Sequence, residues 1–214
     1  MNSFDERAAQ WDENPERVIR AQDAARSIRR YLPLDAKWSA MEYGCGTGLV
    51  GFLLQPFLGH LVMADSSSGM LTVLQAKIEQ AGVTNMTCLK LDLAADPTPP
   101  QCFHLIFTSM TLHHVDDTLG LFKRFYDLLS DGGYLAAVDL DVEDGSFHGE
   151  GFSGHKGFDR ALLQDQLHEA GFSESVFHDL APLTKNTQAG MRTFPLFLLT
   201  ARKAPSVGAG KRTG

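Results

Sequence analysis

The run Glu42-Tyr43-Gly44-Cys45-Gly46-Thr47-Gly48 sets an acid at the end of an apolar stretch and three alternate glycines directly after it. Such glycines let a chain take positive φ and bring backbone N–H groups against a ligand that a Cβ would hold off. Between a strand and a helix, a turn of this kind suits a nucleotide-like ligand. Gly46-Thr47-Gly48-Leu49-Val50-Gly51 also reads as G-x-G-x-x-G, the dinucleotide fingerprint, with Asp65 at the spacing of a ribose-binding acid. The glycines alone therefore leave the ligand open. A second pair with chemistry is His113-His114, since an imidazole titrates near neutrality and can act as a general base. Capping or packing the next helix is the competing use of that pair.

These residues need elements to hold them. Ala8, Trp11, Val18, Ala21, Ala25 and Ile28 recur at helical spacing between residues 5 and 31, and Pro15 divides that helix or kinks it. Strands are expected over 38–43, 60–64, 85–91, 103–108 and 134–140, with helices over 48–57, 69–81 and 116–129 between them. Ser66, Ser67 and Ser68 are good caps for the second of these helices. Residues 143–157 hold five glycines and read as a long loop, followed by a helix over 158–170 and strands near 175–180 and 193–202. Alternation of strand and helix implies a parallel sheet covered on both faces. Residues 182–192 are too short for a parallel crossover, so the last strand is expected to be antiparallel. The fold class is thus α/β: a Rossmann-like, doubly wound, seven-stranded sheet, mostly parallel, with an N-terminal helical cap over residues 1–33. One domain spans 1–203, and the Gly-, Ser- and basic-rich stretch 204–214 is expected to be disordered.

Composition narrows the function. A net charge of −7 argues against a nucleic-acid partner gripped through phosphates. Cys45, Cys88 and Cys102 lack C-x-x-C spacing and are expected to be reduced, in a cytoplasmic protein without a signal peptide or membrane helix. Asp139, Asp141, Glu143, Asp144, His148 and His155 gather after the fifth strand. They lack tight ligand spacing, so no metal is expected there. A lid carrying Phe147, His148, Phe152 and His155 over a pocket is the favoured reading.

The glycine run resembles motif I of the class I S-adenosylmethionine (SAM) dependent methyltransferases, acid-x-Gly-x-Gly-x-Gly. Residues 4–203 are similar to the small ubiquinone-biosynthesis-like group of that family. The resemblance implies that Gly44, Gly46 and Gly48, with Cys45 among them, lie under the methionine part of SAM, and that Glu42 fixes the turn or reaches the amino end. It implies that Asp65 holds both ribose hydroxyls, with Ser66 and Met70 near the adenine. Asp92 would accept from the adenine amine, and Leu93 would offer its backbone N–H to the ring. The stretch 107–115, with Leu112-His113-His114, resembles motif IV. That places Thr108 and Ser109 beside the reacting methyl and makes His113 the candidate catalytic base. Trp11, His148 and His155 are the candidate walls of the acceptor pocket. Ser109-Met110 stands where amino-methylating relatives carry Asn-Pro-Pro-Tyr, which speaks against DNA adenine or protein glutamine acceptors. The expected reaction is methyl transfer from SAM to a small molecule, leaving S-adenosylhomocysteine. Acceptor atom and oligomeric state stay open. The alternatives are a non-catalytic module that binds SAM or a partner, and a nicotinamide oxidoreductase, which predicts a parallel last strand and has no use for Asp92.

Overall fold

Apolar runs too continuous for one-sided burial become strands of a sheet covered on both faces. The structure, a computed structural model, describes residues 3–187 and 190–205. Its strands are β1 Ser39–Tyr43, β2 His60–Asp65, β3 Met86–Lys90, β4 Phe103–Ser109, β5 Leu129–Leu140, β6 Glu174–Thr187 and β7 Gly190–Arg202. They form a seven-stranded sheet in the order β3-β2-β1-β4-β5-β7-β6. The pairs among β1 to β5 are parallel, whereas β7 runs antiparallel to both β5 and β6. The expected antiparallel last strand is present, inserted between the fifth and sixth. The parallel ending that an oxidoreductase reading requires is not.

Helices α5 Thr118–Leu128 and α6 Arg160–Glu169 cover one face, with Phe122, Phe125, Leu163 and Leu167 packed on Met41, Val62, Ile106 and Phe197. On the other face α2 Pro15–Tyr31, α3 Gly51–Leu54 and α4 Ser68–Ala81 set Ala24, Ile28, Leu54 and Leu74 against Leu61, Met63, Leu105 and Phe107. Each fully buried side chain of this size contributes roughly 1.5–3 kcal/mol. Ile106 and Phe107 show the period of two: neighbours in β4, they feed opposite cores.

Capping follows the local sequence. Pro15 stands at the first position of α2, where its missing N–H costs nothing, and Asn14 Oδ1 accepts from Glu16 N at 2.9 Å. The N-terminal region therefore divides into α1 Ser3–Arg7, a 3-10 turn Ala8–Glu13, and α2. Ser67 caps α4 by accepting from Met70 N at 3.2 Å, and Gly82 ends it at φ +63°.

Three boundaries differ from the sequence expectation. The helix after the glycine turn begins only at Gly51 and passes into a 3-10 turn at Gln55–Phe57, where Pro56 denies the i−4 hydrogen bond. Asp131-Gly132-Gly133, which fall between the helix expected over 116–129 and the strand expected over 134–140, lie inside β5. Pairing jumps there from Phe103–Leu129 to Leu105–Tyr134, with Gly132 at φ +76°. The last two strands run on well past their expected bounds. β6 and β7 stay paired through Lys185–Arg192 and Thr187–Gly190 as a ribbon beyond the sheet. Pro182, which cannot donate to a ladder, falls in the register shift between Leu180 and Leu183. Among the described residues no helix is long and apolar enough to cross a membrane. Residues 206–214 of the tail expected to be disordered lie outside the described residues.

Candidate active site

Strand order reverses between β1 and β4, the point where an open α/β sheet leaves a crevice at its carboxyl ends. The turn after β1 and the turn after β4 both open there. Gly44, Gly46 and Gly48 all have positive φ, at +70°, +53° and +83°. Gly44 N and Cys45 N donate to Ala64 O at 2.8 and 3.0 Å, tying the turn to β2. A Cβ on Gly44 would run into Thr111, so the two turns meet there without room for a side chain. Gly46 differs. Around its Cβ position the nearest atoms are Met70 Sδ and Trp11 Nε1, each 4.0 Å away, which leaves a cradle over the backbone.

Asp65 closes the cradle. Its Oδ2 accepts from Gly46 N at 2.7 Å and its Oδ1 from Ser67 N at 2.8 Å. Burial raises its carboxyl while these backbone donors pull it back. A carboxylate oxygen has more than one lone pair, so Asp65 can accept further bonds from a diol. Glu42 lies beneath the turn, 2% exposed, with Oε2 facing no donor. Burial drives it well above the usual carboxylate range, against the Gly51 N–H that favours its charged form. Burial also pushes the Cys45 thiol up, so this cysteine packs rather than reacts.

The N-terminal segment lies across this cradle. Asp5 Oδ1 accepts from Ser67 Oγ at 2.6 Å and from Gly69 N at 2.8 Å. Asp12 receives Thr47 Oγ1 and, at 2.6 Å, Lys77 Nζ, which also donates to Thr47 O at 2.7 Å. Trp11 is held by Arg17 over its ring at 3.8 Å.

After β4, Met110 takes φ +56°, rare for a residue with a side chain. The chain then enters a 3-10 turn at Leu112–His114. His113 is 1% exposed, and its Nδ1 lies 2.6 Å from Asp139 Oδ1 at the end of β5. Asp139 is fully buried and also accepts from Leu140 N at 2.8 Å. An ionised carboxylate can only accept, so Nδ1 is the donor of this pair, and in the neutral imidazole Nε2 is then the nitrogen with the lone pair. Around that ring stand His114 and His148, with centroids 4.2 and 4.7 Å away, and Phe147 and Phe152 beyond them. Burial, with His113, His114 and Lys185 nearby, pulls His148 down to about 3, so its imidazole is neutral near pH 7.

Residues 40–133 match the family model of a methyltransferase domain. A SAM-dependent methyltransferase from Aquifex aeolicus shares the fold at TM-score 0.68 and 16% identity, over 92% of this chain and 97% of its own. The chain thus matches a methyltransferase domain over part of its length and shares the fold of solved SAM-dependent methyltransferases. A second solved structure with this fold, phosphoethanolamine N-methyltransferase 2 from Haemonchus contortus, held S-adenosylhomocysteine and phosphomonomethylethanolamine. It aligns at TM-score 0.70 and 18% identity over 84% of this chain and 52% of its own. Among curated relatives, an uncharacterised methyltransferase of Schizosaccharomyces pombe is 25% identical over 176 residues. That match takes in 71% of this chain, which spans 62% of the relative's length.

Glu42, Gly44, Cys45, Gly46, Gly48, Asp65 and Met70 gather around the glycine turn, whereas Ser109 closes β4 and His113 lies in the turn after it. Ser66 is exposed beside the cradle and Ser109 half-buried, whereas Thr108 is fully buried with Oγ1 facing no partner. Asp92 ends the third strand region, its Oδ1 accepting from Ala94 N at 2.9 Å. Leu93 is 1% exposed and its N–H donates to Tyr43 Oη at 3.2 Å, so in this arrangement that N–H is taken. Trp11 stands over Gly46, its Nε1 4.0 Å from the Cβ position there. His155 is an anchor: its ring Nε2 lies 3.0 Å from Val115 O and its N–H donates to His113 O at 2.8 Å. Sequence reasoning missed Asp139 as the partner of His113. The available signal was an acid closing the apolar run Ala136-Ala137-Val138, hence at a carboxyl end facing the crevice. The latching roles of Asp5 and Asp12 carried no such signal, because their partners lie far along the chain.

Proposed function

We propose that the protein transfers a methyl group from SAM to a small-molecule acceptor. The observation that carries this reading is the pairing of the open Gly46 cradle, closed by Asp65, with an Asp139-anchored His113 across the same crevice. The cradle fits the cofactor: backbone at positive φ with space over it, a carboxylate for a ribose diol, and the Met70 side chain for an adenine face. When bound, SAM supplies an electrophilic methyl carbon for in-line displacement.

The chain's own part is positioning, drying and proton handling. Phe4, Trp11 and Phe152 lie around His114 and the glycine turn and exclude water from the reacting end. Where the acceptor carries a proton, His113 accepts it through Nε2. Asp139 holds the imidazole in the required tautomer and stabilises the imidazolium that results, the division of labour known from His–Asp pairs.

The test is calorimetric titration of the protein with SAM, S-adenosylhomocysteine and NAD in parallel, followed by a methyl-transfer screen of small acceptors. Both sulfur compounds should bind and NAD should not. Asp65→Ala, which leaves Gly46 N and Ser67 N without their acceptor, should weaken SAM by roughly 10–100-fold, the loss expected for charge-assisted bonds. His113→Ala should leave SAM affinity unchanged and slow transfer about 10²–10⁴-fold. NAD binding in place of SAM would sink the reading. SAM binding without transfer to any acceptor would favour a non-catalytic module.

A further inference from the structure

We propose that His113, His114 and His148 form a three-imidazole site for a divalent transition-metal ion, zinc by the chemistry of the donors. One ring nitrogen from each residue lies within 4.8 Å of the other two. Tetrahedral zinc with Zn–N bonds of ~2.0–2.1 Å wants its nitrogens roughly 3.4 Å apart. The cluster therefore needs a contraction of little more than an ångström, and His148 sits in the glycine-rich loop that can supply it.

Four features separate this cluster from ordinary packing of histidines. His148 Nδ1 is buried and has no hydrogen-bond partner, an expense that a ligand would remove. The His148 ring is held flat against Phe152, centroids 3.8 Å apart at 13°, so its direction is set before anything binds. His113 already has the outer partner that metal-bound imidazoles use, a carboxylate on the opposite ring nitrogen, in Asp139 at 2.6 Å. Among the described residues no carboxylate joins the three rings in this group, so the donor set is all imidazole. That set suits zinc and its neighbours rather than magnesium or calcium. The sequence expectation of no metal rested on the spacing of the acids in residues 139–157. The structure spends those acids elsewhere: Asp141 on Arg160, Glu143 on Gly145 N and Phe147 N, Asp144 on Ser146 N and Arg192.

Three protein ligands would leave a fourth position open for an acceptor group. The use of the metal rests on the methyltransferase reading, since the cation would lower the pKa of an acceptor hydroxyl or thiol held there, which would release its proton to solvent water instead of to Nε2 of His113. Binding of the ion does not depend on that reading.

The experiment uses the full chain, stripped with a chelator, dialysed, and titrated with zinc by calorimetry. Cobalt(II) serves as a spectroscopic stand-in, and SAM is titrated into the same samples. One equivalent of zinc should bind, and cobalt should give the visible absorption of a low-coordinate site. His148→Ala and His114→Ala should each weaken zinc more than about 100-fold with SAM affinity unchanged, which shows that the variants fold. Asp139→Asn should weaken zinc about 10–100-fold, the cost of losing an outer partner. His168→Ala, at an exposed position of α6, should bind zinc as the parent does. Less than one equivalent in the parent, or zinc affinity that survives His148→Ala, overturns the proposal. SAM binding in those samples judges the methyltransferase reading separately.

Discussion

Glu42 shows how one residue can serve the fold against its own charge. It ends β1 in a place where only 2% of it is exposed and Oε2 faces no donor, yet its side chain sits directly under the turn it helps to shape. Its carboxyl is raised by burial, so the folded state keeps a proton that the unfolded chain gives up near the ordinary value of about 4.3. In the window between that value and the raised one the native state binds more protons than the unfolded state, and stability falls as pH rises. Glu42→Gln keeps the shape and cannot ionise. Its melting temperature should match the parent below about pH 4 and exceed it at pH 7 and above. Parallel thermal melts across that range check this, and a variant less stable than the parent at pH 7 would show that the carboxylate is needed. The motif alone named Glu42 as a site residue. It did not reveal that the acid faces inward, because that depends on Gly51 packing over it.

At the scale of elements, the glycine turn does two jobs that its spacing does not distinguish. Gly44 is needed by the protein itself, because a Cβ there meets the side chain of Thr111 from the turn after β4. Gly46 has open space where a ligand is proposed to sit. Gly44→Ala should cost about 2–4 kcal/mol, from the clash and the positive φ together. Gly46→Ala should lose only about 1–2 kcal/mol, from φ alone, while abolishing measurable SAM binding. Denaturant unfolding and calorimetry on both variants separate the two. Equal stability loss would mean that the cradle is filled by protein. Strand and helix identities were legible in the sequence because apolar periodicity is local. The length of the β6–β7 ribbon was not, since the apolar pattern does not mark the pairs from Leu183–Phe194 to Thr187–Gly190.

For the whole molecule, the order β3-β2-β1-β4-β5 places the two turns side by side, and the N-terminal segment is drawn over them by Asp5 and Asp12. A ligand held between sheet and cap binds only the native state and must therefore stabilise it. SAM at about 100 times its Kd should add roughly 2.7 kcal/mol, which for a chain of this size raises Tm by about 5–10 °C. NAD at the same concentration should leave Tm unmoved. Scanning fluorimetry reads both, and a shift with NAD alone would reverse the assignment of the cradle.

The sequence by itself determined the element types, the parallel sheet with its antiparallel last strand, and the glycine turn with Asp65 one strand away. Each follows from local spacing or from connection length, which a chain carries without folding. Tertiary structure alone decided which groups meet. Asp139 reaches His113 across 26 residues, Asp5 reaches Ser67 across 62, and His148 comes to rest against His113 and His114. Contacts at such separations arise when the sheet closes its loops and the cores on both faces lock them, so no window of sequence contains them.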